Sequence, residues 1–314
     1  MNQTFIAAAL ALGTALSSGT AYAQESGQCR KVTFSDVGWT DITATTALAS
    51  TVLQAIGYDT ETKILSVPVT YTALSTDDVD IFLGNWMPTM EADIAPYRDA
   101  GTVDTVRTNL TGAKYTLATN QAGADLGIDD FSKIAGQKDA LDGKIYGIEP
   151  GAPANQSIQA MIDADAFGLG DWTLVESGEQ AMLAQVGRNE NAGKPTVFLA
   201  WAPHPMNEAI DITYLSGGDE QFGPDFGGAT VHTLARSEWV EACPNAAKLF
   251  SQLVFDVPME NVLMGKILND GMDGRQAAKE WIAANPDVAA TWLDGVTTLD
   301  GQPGDKAVMA AVSK

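Results

Sequence analysis

An α/β fold with largely parallel sheets is predicted by two observations. Strand-like and helix-like segments alternate along the chain from residue 31 to residue 284, which is the signature of βα units. No repeat of 20–50 residues and no low-complexity linker interrupts that alternation. The length suits one large domain or two modest ones, and either can bury a core without metals or staples.

The elements follow in order. Residues 1–23, MNQTFIAAALALGTALSSGTAYA, contain no charged side chain. An apolar core at 6–16 and the small-x-small triplet Ala21-Tyr22-Ala23 read as a signal peptide cleaved near Ala23, although no Lys or Arg lies near Met1. No cysteine follows directly, so a lipid anchor is not indicated, and no later segment is apolar for long enough to span a bilayer. Polarity alternates over 31–35, as in a strand. Ile42, Ala49, Val52, Leu53 and Ile56 then share one helical face, and Gly57 suits the stop. Further strands are expected at 63–67, 79–83, 113–118, 144–148 and 196–200. Further helices are expected at 157–166, 179–186, 246–253 and 275–284.

Composition removes several functions. The formal net charge is -22, so the surface repels nucleic acid and anionic lipid, and no nucleic-acid partner is expected. There are two histidines, His204 and His232, and no HExxH, CxxC, GxSxG or phosphate-cradling glycine loop. Metal sites with His or Cys ligands are therefore not expected, and no cofactor is implied. A hydrolase working through paired carboxylates has no visible nucleophile–base arrangement to support it. Cys29 and Cys243 both fall in the exported part, where they form either a persistent disulfide or two buried thiols.

The aromatic residues carry the positive signal. IFLGNWMP and VFLAWAPHP are echoes: an apolar strand, a tryptophan, then proline. Trp86 and Trp201 thus sit at carboxyl ends of strands, where α/β proteins bind ligands. Trp39 in SDVGWTD lies at a third such end, and Tyr115 lies in the strand-like run AKYTLA. Each ring alone also fits a plug at the end of a sheet. Asp41 is either a helix cap, a role Thr40 shares, or a carboxylate in the same cleft as Trp39. His204 reads as support for the turn that Pro203 and Pro205 impose. A quaternary ammonium donates no N–H bond, so it is held by ring faces, each contributing roughly 0.5–2 kcal/mol.

From FSDVGWTD through FLGNWMPTMEADIAPY, GAKYTLATN, DGKIYGIEPG and WAPHPMN to FGPDFGGATVHT, the chain resembles the substrate-binding proteins of ABC importers for quaternary ammonium compounds, choline binders above all. The resemblance implies a type II periplasmic binding protein: two α/β domains, a ligand cleft between them and two crossover hinge segments. Domain I is expected to comprise 24–112 plus 213–314, and domain II 113–212. The resemblance places the cage on Trp39, Trp86, Tyr115 and Trp201 and a hydroxyl-accepting carboxylate on Asp41, and it pairs Cys29 with Cys243. It also implies a periplasmic monomer, not an enzyme, that serves an inner-membrane ABC permease with its ATPase. At Ala152 and Ala202 the pattern departs, since related choline binders carry Asn and Glu there. Asn155 is the candidate to compensate for the lost polar group. The alternative is a zwitterionic ligand such as glycine betaine or dimethylsulfoniopropionate.

Overall fold

The computed structural model describes residues 27–313, so the signal-peptide reading of 1–23 lies outside the described residues. Among the described residues nine strands form one sheet: β1 (Lys31–Asp36), β2 (Asp59–Ile64), β3 (Ile81–Met87), β4 (Val103–Asn120), β5 (Lys144–Tyr146), β6 (Thr173–Val175), β7 (Val197–Ala202), β8 (Ile212–Tyr214) and β9 (Gly228–Arg236). The order is β2-β1-β3-β9-β4-β7-β5-β6, with β8 paired to β4.

The parallel character is confined to two wings. In one, β1 pairs in parallel with β2 and β3; in the other, β5 pairs in parallel with β6 and β7. At the centre β4 and β9 run antiparallel to each other and to their outer neighbours. The reason is the length of β4. Its 18 residues, at about 3.3 Å each, reach both wings. From Val103 to Lys114 it pairs with β9, and from Lys114 to Thr119 with β7. This is the two-domain type II arrangement.

The handover at Lys114 needs close backbone approach. Gly227, at φ +70°, lies against the carbonyl of Tyr115, and a Cβ there would stand 1.8 Å from that oxygen. Glycine is thus required twice, for its left-handed conformation and for its missing side chain. The residues before it, Gly223, Asp225 and Phe226, also have positive φ, which turns the chain sharply into β9.

Most predicted elements are present, with shifted ends. The strand expected at 63–67 is instead β2, and Val67–Ser75 is helical. Ile64-Leu65-Ser66-Val67 has strand-like composition, but Pro68 fits the first turn of a helix, where its missing N–H leaves no bond unmade. The helix predicted to stop at Gly57 spans Thr40–Ala55, and Gly57 takes φ +102°. The peptide bonds before Pro88 and Pro203, at the ends of β3 and β7, are both cis. Cys29 and Cys243 form a disulfide with a Cα–Cα distance of 5.4 Å. It ties the start of β1 to the late helical region, away from the carboxyl end of that strand. Among the described residues no helix is long and apolar enough to cross a membrane.

Candidate ligand-binding site

The carboxyl ends of β1, β3 and β7 and the middle of β4 converge on one cavity. About 460 Å³ of space, counted out through its opening into solvent, is free of protein atoms. Trp39, Trp86, Tyr115 and Trp201 all line it, as do Asp41 and Ala152. Each of the four rings is 6–8 % exposed, so they form cavity walls rather than surface. Thr89, Met90, Ile148, Pro153, Ala154 and Leu199 complete the lining. Among these residues only Asp41 bears a carboxyl group, and none carries a positive charge.

Hydrogen bonds to carboxylates fix two of the rings. Trp86 Nε1 donates to Asp41 Oδ2 at 3.1 Å, and Trp39 Nε1 donates to Glu149 Oε1 at 2.9 Å. An N–H aimed at an anion orients the indole and enriches its ring, which strengthens the attraction of its face for a cation. Tyr115 donates to the hydroxyl of Thr89 and stands edge-on to Trp86, centroids 6.0 Å apart, and to Phe222 at 5.6 Å. Trp201 rests edge-on against His204 at 5.0 Å. His204 Nδ1 accepts from Met206 N at 2.9 Å, which makes the histidine a brace for the turn after β7, as its sequence position suggested.

Asp41 is not a cap. The N-cap residue of its helix is Trp39, and no side-chain capping bond comes from it. Asp41 is 2 % exposed, and its Oδ1 has no hydrogen-bond partner in the protein. A buried carboxylate oxygen without a donor is costly unless a ligand supplies one. Burial, and next the charge of Glu179, push this carboxyl up to about 7; the Trp86 N–H works the other way. Glu149 and Asp36 are also raised, both mainly by burial.

Asn155 does not join the site. It is 2 % exposed, accepts from Ile148 N, and donates to the carbonyls of Ile148 and Glu149 and to Glu176 Oε1. It shapes the loop that carries Ile148 and cannot also turn inward, so it does not replace the polar group missing at Ala152. Ala152 is the N-cap residue of the helix Pro153–Asp163, where its methyl supplies no cap. Ala202 lies next to Trp201 at the end of β7 and is not among the lining residues.

Thr89 and Met90 were missed from sequence. The only signal was position, since both follow Trp86 within the turn that Pro88 begins.

A clamp-like α/β fold with a cavity where its wings meet defines the class: a solute-binding protein of the type II periplasmic kind. The chain belongs to the OpuAC family, the substrate-binding domain of ABC-type glycine betaine transport systems, whose profile matches residues 30–284. A solved ABC-transporter choline-binding protein in complex with choline is 60% identical, with a TM-score of 0.90 over 92% of this chain and 100% of that one. An ABC-transporter choline-binding protein in an unliganded semi-closed conformation is also 60% identical, with a TM-score of 0.85 over 91% of this chain and 100% of that one. The glycine betaine/carnitine transport binding protein GbuC of Listeria monocytogenes is 29% identical over 187 residues, 60% of each chain.

Proposed function

We propose that this protein captures choline, or a close methylated onium relative, in the periplasm and delivers it as a monomer to an inner-membrane ABC permease with its ATPase. The observation that carries the reading is the composition of the cavity wall. Four aromatic rings surround a site whose one carboxyl-bearing lining residue is buried and has an unpartnered oxygen. The rings suit a cation that cannot donate hydrogen bonds, and Asp41 Oδ1 suits a hydroxyl at the ligand's other end. The 60% identity to a choline-binding protein supports the same assignment.

A zwitterionic ligand fits less well. The carboxylate of glycine betaine would meet Asp41 and find no cationic lining residue to pair with it, and like charges at close range in a buried site repel strongly.

Capture depends on the wings closing. We place the first hinge at the Lys114 handover. We place the second at 223–228, later in the chain than the expected boundary at 213; the pairing of β8 with the distal end of β4 and the Ser216–Asp130 bridge, both on the β7 side, support this.

A thermal-shift panel of choline, glycine betaine, carnitine, trimethylamine N-oxide and dimethylsulfoniopropionate tests the reading, because a ligand of the folded state raises its melting temperature. Choline is expected to give the largest shift. No shift with any methylated onium compound would refute the proposal.

A further inference from the structure

The helix Thr40–Ala55 receives its cap from the opposite wing. The backbone N–H of Thr40 donates to Glu179 Oε2 at 2.9 Å, and the Thr40 hydroxyl donates to Glu179 Oε1. Glu179 opens the helix Glu179–Asn191, between β6 and β7, whereas Thr40 follows β1. The bond therefore joins the two wings at the positive end of a helix dipole.

His204 completes the arrangement. Its Nδ1 accepts from Met206, so in the neutral ring Nε2 carries the hydrogen and donates to Glu179 Oε1 at 3.2 Å. Glu179 is 3 % exposed and is not among the cavity-lining residues. Among the described residues, Trp39 to Glu149 and Tyr115 to Thr89 also cross between the wings near the cage, but both involve cage rings. Glu179 holds the wings together without forming any part of the cavity wall.

Its charge has a second effect. Glu179 bonds Thr40, the residue next to Asp41; after burial, the main cause, its charge adds to the raising of Asp41 and Asp36, and like charges brought together oppose closure. A cation inside the cage, beside Asp41, offsets that repulsion.

We propose that Glu179 is a closure latch: it crosses the cleft to cap the Thr40–Ala55 helix, and its charge makes the closed state depend on a cation in the cage. The inference rests on the reading of the site as an onium site.

The test is stopped-flow tryptophan fluorescence with choline on the full chain and on Glu179→Gln and Thr40→Val. The latch predicts dissociation at least about tenfold faster from Glu179→Gln, with association within about twofold of the unmodified protein, because the open cage is untouched. Thr40→Val, which keeps the backbone N–H, is expected to shift dissociation the same way by a smaller factor. The preference for choline over its uncharged carbon isostere, 3,3-dimethyl-1-butanol, is expected to narrow in Glu179→Gln; a purely structural role would leave that ratio unchanged. Should Glu179→Gln fail to fold, Thr40→Val alone decides by its dissociation rate. Dissociation at the original rate in the folded variants, or an unaltered preference in Glu179→Gln, would overturn the latch and leave the choline assignment standing. Failure of the unmodified protein to bind choline would remove both.

Discussion

Trp86 and Asp41 act as one unit: the indole Nε1 donates to Asp41 Oδ2 at 3.1 Å, and Oδ1 of the same carboxylate has no partner. One oxygen orients a wall of the cavity; under the proposed reading the other accepts from the ligand. Asp41→Asn keeps the shape but removes the charge and replaces one acceptor oxygen with an NH2 donor. Choline affinity is expected to fall at least about tenfold, in line with about 1.5–3 kcal/mol for a hydrogen bond to a charged group, as measured by calorimetry.

Affinity should depend on pH near neutrality. The Asp41 carboxyl stands at about 7 in the ligand-free protein, and a cation beside it favours the ionised form. Choline binding therefore releases a proton below that value. Affinity is expected to be flat above about pH 8 and to weaken by up to about tenfold per unit below pH 7. The same dependence in Asp41→Asn would assign it to another group.

Ligand-free stability should run the opposite way with pH. A carboxyl raised from 3.8 to about 7 binds its proton more tightly folded than unfolded. Its contribution is fully present below about pH 4 and is lost as pH rises through about 7, and Glu260, raised well above its ordinary value mainly by burial, adds in the same direction. Denaturant melts between pH 4 and 8 should show Asp41→Asn with a shallower decline than the unmodified protein.

Trp201→Ala should weaken choline binding by more than about 1 kcal/mol if the ring faces the cation. Unchanged affinity would make Trp201 core packing only.

Reducing the Cys29–Cys243 bridge should lower stability by about 2–4 kcal/mol, because it closes most of the chain into one loop. The bridge sits at the start of β1 and Trp39 beyond the end of that strand, so choline affinity at a temperature where both forms are folded should not change.

The gathering of the four rings at one cavity was legible in sequence because most of them have a local mark. Trp86 and Trp201 end apolar runs before prolines, and Trp39 sits between a strand and a helix. The latch was not legible. Thr40 and Asp41 satisfied the local rule for a cap, and nothing near them points to Glu179, 139 residues away. Asn155 misled for a related reason: an amide close to a pocket looks available until its partners in the loop at Ile148 and Glu149 are known. The central antiparallel pair was hidden likewise, since β4 reads as an ordinary strand and its two sets of partners come from distant segments.

Isothermal titration of choline and of glycine betaine at pH 8, where Asp41 is mostly ionised, tests the account most directly. The account predicts micromolar or tighter choline binding, about -8 kcal/mol or better, with glycine betaine weaker by at least about tenfold. Glycine betaine binding as tightly as choline, or more tightly, would contradict it.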